Sequence, residues 1–543
     1  MNWLLFLKKT KLTFTPFILA IGSGVLIGLS PAPLNLWFLS WIALVPLWLL
    51  IQNKKNYKEI ALLGFCWGFS YHSLALFWIT GVHPMTWMGV PWLASLAIAI
   101  AVWLVISFWG AFLVTLWSIS FSFIDRNLLK TNPKNSFIAI LTKVLIGVTI
   151  WCCLETLWSQ GDLWWSSLSY TQSPNNLAIL QLTKFSGFNT VTAAIVAVNG
   201  LFAEAILYQL KARTQYINCS RVSNAHPTIN KKNIILTFSL PITLFIILHL
   251  WGLWLYNLPV ANTNLEPIKV GIIQGNIPNE IKLYSEGWQK AIQGYTTGYQ
   301  KLAQQNVDVV LTPEGALPFF WENIIDNSDF YQTVITEEVP AWVGAYGREN
   351  TSYTNSLFTI TAEGKTFSRY DKTILVPLGE YIPFEPVIGK IIDRLSPLEA
   401  HLQAGKPNQT FDTPFGRAIV GICYESAFSQ HFRRQAKQGG EFMITASNNA
   451  HYNTTMPAQH HAQDVIRAIE SDRWAARATN TGYSAIVDPH GRTLWKSAID
   501  KYQTHAGTIY RRQTKTLYVR WGDWLTTLLL IVSVCIIVTT LFN

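Results

Sequence analysis

The sequence predicts a polytopic α-helical membrane domain of about eight spans, combined with a water-exposed α/β domain. Half of the 543 residues are hydrophobic, only 13% are charged and 24 are tryptophan, a composition that is unusual for a soluble chain. The apolar residues concentrate in 12–257 and again in 524–542. The segment between them has a soluble composition and short apolar runs rich in β-forming residues, which favours an inserted globular domain.

Eight apolar stretches are long enough to cross a bilayer or nearly so. They are 12–29, 35–51, 60–80, 91–118, 137–157, 177–208, 234–256 and 524–542. The first follows three lysines and resembles a secretory signal, but it lacks a clear small-residue cleavage site and a second span follows closely, so we expect it to be retained. The predicted organisation is a membrane domain of seven transmembrane helices in 1–257, a globular domain in 258–515 and a final transmembrane helix in 516–543.

The charged connectors predict the orientation of the spans. The N-terminus and connectors 53–59, 125–135 and 211–232 carry fourteen Lys and Arg residues, and the intervening connectors carry none. Basic residues favour the cytoplasmic side, so the globular domain is predicted to lie on the outer side of the membrane. Four basic residues just before the last span oppose this, but the rule is weak beside a long translocated domain. The net charge of +10 is largely connector charge, and the sequence has no motif for nucleic-acid binding.

The segment 267–511 is predicted to form one α/β domain. Six runs have the composition of strands: Ile268–Gln274, 307–312, 341–345, 418–423, 442–446 and 483–487. Helical stretches at 285–305 and 459–479 lie between some of them. Several of the runs end at polar or reactive residues, a common position for catalytic groups.

One cysteine stands apart from the other five. Cys66, Cys152, Cys153 and Cys535 fall in predicted spans, Cys219 falls in a basic connector, and Cys423 alone belongs to the globular domain. On the predicted topology Cys423 has no disulfide partner on its side of the membrane. It is either a small buried hydrophobic residue or a nucleophile at a strand end, and its position alone leaves both interpretations open.

Three motifs, in order, carry a resemblance to a known superfamily. They are Leu311-Thr312-Pro313-Glu314-Gly315, Arg369-Tyr370-Asp371-Lys372 with Gly379-Glu380-Tyr381 after it, and Gly421-Ile422-Cys423-Tyr424-Glu425. The ordered Glu, Lys and Cys resemble the nitrilase, or carbon–nitrogen hydrolase, superfamily. With the predicted spans around them, the whole chain resembles the apolipoprotein N-acyltransferase family. Further matches are Gln274-Gly275-Asn276-Ile277-Pro278, Ser447-Asn448, Thr479-Asn480-Thr481-Gly482 and a closing motif at 518–524.

The resemblance implies a role for each motif residue. Cys423 would be the nucleophile and carry the acyl group as a thioester, Glu314 the base, and Lys372 the group that stabilises the oxyanion. Glu380, Tyr424 and Glu425 would be supporting residues. Taken singly, each could instead be an ordinary surface or paired side chain, and the ordered set of motifs is what favours catalysis.

The resemblance also implies a fold, a reaction and a location. The α/β domain would be an αββα nitrilase-type sandwich. A phospholipid would donate an acyl chain through Cys423 to the N-terminal amine of a diacylglyceryl-cysteine apolipoprotein, in the bacterial inner membrane with the catalytic domain periplasmic. A monomer is expected, with no cofactor and no nucleic-acid partner. His451, His460 and His461 could suggest a metal, but no convincing ligand set completes them.

The sequence departs from the family pattern at several positions. Leu283 and Tyr284 stand where Trp is usual, Leu378 replaces Phe, and His451 lies in a segment that differs from Ser-Asn-Asp-Ala-Trp-Phe-Gly. Trp158, Trp164, Trp165 and Tyr170 are expected on the outer side as an aromatic belt, with Glu155 and Lys184 as candidates for headgroup contact. A membrane-anchored amidase that uses water and a non-catalytic scaffold are the alternative functions.

Overall fold

The first half of the chain is helical. The structure, a computed structural model, describes residues 14–129, 136–222, 231–260, 265–349, 352–381 and 402–542. The described helices of this half are α1 (Thr15–Gly28), α2 (Val45–Asn53), α3 (Tyr57–Ala75), α4 (Trp92–Asn127), α5 (Ser136–Trp158), α6 (Leu177–Leu180), α7 (Thr183–Ser186), α8 (Phe188–Val222) and α9 (Lys231–Tyr256). Helix α17 (Trp524–Phe542) closes the chain.

Fewer helices qualify as membrane spans than the eight predicted. Within the described residues, five are long and apolar enough to cross a bilayer: Trp92–Asn127, Phe137–Trp158, Phe188–Thr214, Ile235–Tyr256 and Trp524–Phe542. Two shorter apolar helical stretches, Thr15–Gly28 and Trp37–Asn53, correspond to the first two predicted spans. Residues 12 and 13 of the first predicted span, and the side chain of Cys219, lie outside the described residues.

The predicted span 177–208 is wrong at its N-terminal end. The chain there forms the short helices α6 and α7, and the long helix begins only at Phe188. Gly187 between them has a φ of +72°, a conformation that glycine adopts readily and other residues rarely do. Hydropathy alone does not detect this break, because the short helices are also apolar.

Buried indoles hold the membrane helices together. Trp48, Trp67, Trp117 and Trp151 are among the largest fully buried side chains. Each indole N–H finds an acceptor, as a buried indole N–H generally must: Trp67 donates to the Ala43 carbonyl over 3.1 Å, and Trp117 donates to the Gly147 carbonyl over 2.8 Å. Many of the tryptophans that give the sequence its unusual composition are therefore part of the helical core.

The globular part contains two six-stranded mixed sheets. The first has the strand order β12-β1-β2-β3-β4-β5 and the second β11-β10-β9-β8-β7-β6. The strands are β1 (Ile268–Gln274), β2 (Val309–Leu311), β3 (Ala341–Glu349), β4 (Ser352–Ile360), β5 (Thr366–Asp371), β6 (Phe411–Thr413), β7 (Gly416–Ile422), β8 (Phe442–Ser447), β9 (Ala475–Thr479), β10 (Ala485–Val487), β11 (Thr493–Lys496) and β12 (Gln503–Ile509).

The two sheets face each other across one apolar core and carry helices outside. Val270, Leu311 and Trp342 of the first sheet share this core with Val420 and Ile444 of the second. The remaining helices are α10 (Asn279–Lys282), α11 (Ser285–Ala303), α12 (Trp321–Asn327), α13 (Asp329–Glu337), α14 (Ser429–Lys437), α15 (Thr455–Ser471) and α16 (Leu517–Trp521). Helices α11 to α13 contribute to a second apolar cluster with the first sheet. The predicted αββα sandwich is confirmed.

All six predicted runs contain a strand, and one predicted helix is wrong in its second half. The run 459–479 was expected to be helical throughout, but α15 ends at Ser471 and β9 occupies Ala475–Thr479. Asp472, in the left-handed region at φ +55°, ends the helix. The segment after it is buried between β8 and β10, so tertiary pairing outweighs its helical propensity.

Helix α15 joins the sandwich to the membrane helices. Nearly all of its side chains are buried, and its apolar residues belong to the same core as the membrane helices. Gln459 receives hydrogen bonds from the indoles of Trp78 and Trp165, over 3.0 and 2.8 Å, and donates to the Ala75 carbonyl over 2.8 Å. The second sheet is therefore attached to the membrane domain through satisfied polar contacts as well as apolar ones.

Candidate active site

The ends of several strands meet at one edge of the sandwich. Lys372 follows β5 directly, Cys423 follows β7 and Asn448 follows β8, while Glu314 lies three residues after β2. Glu314 and Lys372 come from the first sheet, and Cys423 and Asn448 come from the second. The site is therefore built between the two sheets.

Three hydrogen-bond donors hold the carboxylate of Glu314. Its Oε1 accepts from Lys372 Nζ over 3.0 Å and from Asn355 Nδ2 over 2.7 Å. Its Oε2 accepts from the backbone N–H of Asn448 over 2.8 Å. Lys372 Nζ also donates to Glu380 Oε1 over 2.8 Å, and Glu380 Oε2 accepts from the Val376 N–H over 2.8 Å. Both carboxylates and the lysine are thus held in single orientations.

The charged groups of this cluster shift one another's pKa values. Burial alone would raise the pKa of Glu314, but the ammonium groups of Lys372 and Lys282, with the hydrogen bonds, bring it below its usual value. Burial raises the pKa of Glu380. Burial would lower the pKa of Lys372, yet the two carboxylates raise it well above its usual value. Lys372 is therefore a permanent cation, and Glu314 a carboxylate, at neutral pH.

Cys423 occupies a strained turn. Its φ is +51°, a conformation that costs free energy for a residue with a side chain and persists only where the surroundings enforce it. The turn is a 3₁₀ helix, Cys423–Ala427, that begins where β7 ends. His460 forms a hydrogen bond to the Cys423 carbonyl over 2.8 Å. The backbone at Cys423 is thus held by the end of β7 on one side and by the hydrogen bond with His460 on the other.

Glu425 ties the cysteine turn to the lysine loop. It is fully buried, and its Oε2 accepts from the Ile422 N–H over 2.8 Å. Its Oε1 accepts from the backbone and the hydroxyl of Thr373, over 2.6 and 2.7 Å. Because Thr373 follows Lys372, one carboxylate fixes the residues beside both Cys423 and Lys372.

The thiol is protonated in the resting site. Burial, reinforced by the Glu314 carboxylate, raises the pKa of Cys423 well above its usual value, and Lys372 opposes this rise. A thiol in this state becomes nucleophilic only if its proton leaves as it attacks. The arrangement has a carboxylate to accept the proton and cations to stabilise the negative charge that develops.

A connector of the membrane domain packs against the turn that begins at Cys423. Tyr424 Oη donates to the carbonyls of Asp162 and Trp164, over 2.6 and 2.9 Å, and its ring stacks on Trp165 with centroids 6.0 Å apart. Tyr170 Oη donates to the Ala427 carbonyl over 3.1 Å. Both ends of the five-residue turn that begins at Cys423 are therefore held by the segment between α5 and α6.

The aromatic residues of this connector do not form a lipid-facing belt. Trp158, Trp164, Trp165 and Tyr170 are all buried, so that interpretation is wrong for them. Glu155 accepts from Ser167 Oγ and from Thr192 Oγ1, each over 2.8 Å, and from the Leu168 N–H over 2.8 Å, while Lys184 pairs with Asp472 at 3.6 Å. Both candidates for headgroup contact are instead engaged within the protein.

The three histidines bind different partners. His451 forms a hydrogen bond with Asn279 over 2.7 Å, His460 with the Cys423 carbonyl, and His461 with Thr493 Oγ1 over 3.0 Å. In the described part of the chain no group of three or more His, Cys, Asp or Glu could hold a metal ion.

Leu283, Tyr284 and Leu378, which depart from the family pattern, are all exposed.

Lys282 is a residue of the candidate site that lies outside the sequence motifs. It is buried, and its Nζ donates to the Glu314 carbonyl oxygen over 3.2 Å. It follows the Asn276-Ile277-Pro278 motif and directly precedes the departures at Leu283 and Tyr284. A lysine four residues after that proline, in a short helix at the end of β1, was the available signal.

Comparisons with known proteins cover most of the chain. Residues 23–201 match the model of the apolipoprotein N-acyltransferase N-terminal domain, and residues 269–512 match that of the carbon-nitrogen hydrolases. An apolipoprotein N-acyltransferase of Nostoc sp. is 55% identical over 92% of this chain and 95% of its own length. Relatives of the same description from Synechocystis sp. and Thermosynechococcus vestitus are 49% and 39% identical, over 93% and 95% of this chain and 97% and 94% of their own lengths.

Proposed function

The chain belongs to the apolipoprotein N-acyltransferase family, and on that premise we propose the chemical route by which it acts. It is an acyltransferase with a lipoprotein acceptor and a membrane setting, and its relatives are bacterial. The proposal is that a phospholipid donates an acyl chain to Cys423. The resulting thioester then acylates the α-amine of a diacylglyceryl-cysteine at the lipoprotein N-terminus.

In the first half-reaction Cys423 Sγ attacks the ester carbonyl carbon of the phospholipid. Glu314 accepts the thiol proton as the C–S bond forms, and Lys372 stabilises the oxyanion on the former carbonyl oxygen. Collapse of the tetrahedral intermediate breaks the ester C–O bond, and Glu314 returns the proton to the departing alkoxide. The products are the Cys423 thioester and a lysophospholipid.

In the second half-reaction the lipoprotein amine attacks the thioester. Glu314, again a carboxylate, accepts a proton from the attacking nitrogen, and Lys372 stabilises the second oxyanion. The C–S bond breaks, the amide forms and the proton returns to the sulfur of Cys423. Water has to be excluded between the two steps, and the packing of the membrane connector against Tyr424 supports such exclusion.

One observation carries the proposal. Glu314 and Lys372, separated by 58 positions in the sequence, make a direct buried ion pair of 3.0 Å, and Glu425 bonds both the residue after Lys372 and the residue before Cys423. A buried pair of this kind is costly without compensation. Its position beside a strained cysteine is what acyl transfer requires and what a non-catalytic scaffold does not.

We also propose the orientation and the state of assembly. If α1, α2 and α3 cross the membrane as well as the four longer spans before the globular domain, the distribution of basic connectors supports a cytoplasmic N-terminus, a catalytic domain on the periplasmic face of the inner membrane and a cytoplasmic C-terminus. The corresponding division of the chain is 1–257, 258–515 and 516–543. A monomer suffices for the reaction, since Glu314, Lys372 and Cys423 all come from one chain.

Mass spectrometry of the purified protein after incubation with phospholipid alone tests the route. Wild-type protein is expected to gain one acyl chain on Cys423 and to release an equal amount of lysophospholipid. Cys423→Ala should form no adduct and Cys423→Ser at most a trace, because a hydroxyl is far harder to ionise. Cys535→Ala, at an exposed cysteine of the last helix, is the matched control and should acylate normally. An adduct that survives in Cys423→Ala would assign the nucleophile to another residue.

A further inference from the structure

The active site contains a second buried lysine whose charge the steps above do not use. Lys282 ends the short helix α10 and is only 6% exposed. Its Nζ lies 3.2 Å from the Glu314 carbonyl oxygen, and a Cβ built on Gly315 would lie 3.5 Å from it. An ammonium group is rarely buried unless it is paired, and here it donates to a neutral carbonyl oxygen. Glu314 and Cys423 are the neighbours whose charge favours its ammonium form.

Three titratable groups face Lys282 from three different elements. Burial lowers its pKa to about 8, while Glu314 and Cys423 act in the opposite direction. His451 faces it from the segment after β8, and desolvation together with Lys282 lowers the pKa of that histidine to about 4. His451 is therefore uncharged near neutrality. The charges that matter to Lys282 are those of Glu314 and of the sulfur that ionises during attack.

The balance of charge in the cluster depends on Lys282. Glu314 and Glu380 contribute two negative charges, and Lys372 contributes one positive charge. Lys282 supplies the second positive charge, which brings the cluster to neutrality. Without it the cluster would carry a net negative charge at the moment when a further anion has to form on Cys423 or on the substrate oxygen. Like charges in a buried site oppose that step strongly.

We propose that Lys282 is the second cation of the active site. It keeps Glu314 ionised as the base, and it stabilises the negative charge that develops during attack by Cys423. Lys372 contacts the Glu314 carboxylate directly, whereas Lys282 contacts the backbone carbonyl of the same residue. This role rests on the proposed use of Glu314 and Cys423, and it adds a residue to the machinery rather than a new reaction.

The proposal predicts the pH dependence of thioester formation in a single turnover. Glu314 must be ionised, so formation falls as the pH drops through the pKa of Glu314. Lys282 must be protonated, so formation also falls as the pH rises through about 8. In Lys282→Met one of the two cations that lower the pKa of Glu314 is gone. The acidic limb of the pH profile, where the rate falls as the pH drops, should move up by about one pH unit. The rate of thioester formation should fall about tenfold or more.

Lys282→Arg and an independent thiol probe complete the experiment. Arginine stays charged at all these pH values. In Lys282→Arg the rate of thioester formation should therefore not fall as the pH rises through about 8, as it does in the wild type. Alkylation of Cys423 by iodoacetamide should be about tenfold slower in Lys282→Met at the same pH. Because alkylation needs no lipid, it tests Lys282 even if the proposed acyl route fails. Lys290→Met, at an exposed lysine of the next helix, is the control and should match the wild type.

Two outcomes would overturn the proposal. The first is a Lys282→Met protein with the wild-type acidic limb and the wild-type alkylation rate, since the lysine would then only fill space. The second is a Lys282→Arg protein whose falling limb coincides with that of the wild type. The second outcome compares Lys282→Arg with the wild type, and both proteins have a long, charged side chain at this position. It therefore remains decisive if Lys282→Met does not fold.

Discussion

At the scale of single residues, Lys372 is the group on which most of the site's electrostatics depend. It bonds to both carboxylates and has its pKa raised well above the usual value by them. Lys372→Met keeps most of the side-chain volume and removes the charge. We expect thioester formation to slow by ~10²–10³, the usual cost of losing an oxyanion donor.

The matched control for this substitution is Lys365→Met, an exposed lysine just before β5. It removes the same charge from the opposite end of the same strand, away from the site, and its rate should equal that of the wild type. Rates are measured as lysophospholipid released in a single turnover. If Lys372→Met turned over at the wild-type rate, Lys372 would be a structural partner of the two glutamates and another group would stabilise the oxyanion.

The residues that could be predicted from the sequence are those whose motifs are local. Glu314, Lys372 and Cys423 each lie at or soon after a strand end, in a short segment that a linear pattern can represent. Lys282 lies just after one of these motifs, but its place in the site depends on a fold that brings the helix after β1 against the turn after β2. The contacts of Tyr424 with Asp162 and Trp164 likewise join segments about 260 positions apart.

At the scale of secondary structure, apolar composition predicted the positions of the long membrane helices and of six of the twelve strands, but seldom where these elements end. The run Ile268–Gln274 is recovered with its exact bounds as β1. The run 459–479 fails because Asp472 adopts a left-handed backbone and the rest pairs as an inner strand. The span 177–208 fails because Gly187 turns the chain between two apolar segments. In each case a residue with a positive φ lies at the break, and hydropathy does not report backbone angles.

The segment between α5 and α6 shows what hydropathy patterns leave out. Its aromatic residues have the composition of an interfacial belt, yet they are buried, and Tyr170 bonds to the turn that begins at Cys423. The carboxylate of Glu155 holds this segment through Ser167 and the Leu168 N–H. An ionisable group in a membrane helix is expected to be functional. Here its function is to hold the backbone that supports Tyr424.

At the scale of the whole molecule, the account requires the catalytic domain to lie outside the cytoplasm. A reporter that is active only in the periplasm, fused after Asn257, should give a signal, and the same reporter fused after Lys232 should be silent. A reporter that is active only in the cytoplasm should give the reverse pattern and serves as the control. Reversed signals would place the acyl transfer on the wrong side of the membrane for the proposed acceptor.

The transfer of an acyl chain from Cys423 to a lipoprotein amine tests the central claim most directly. Wild-type protein is first loaded from a phospholipid with a labelled acyl chain, the phospholipid is removed, and a diacylglyceryl-cysteine peptide is added. The label should leave Cys423 and appear as an amide on the peptide's N-terminus at one and the same rate. Release of the label as free fatty acid, or a thioester that persists while the peptide becomes acylated from added phospholipid, would contradict the account.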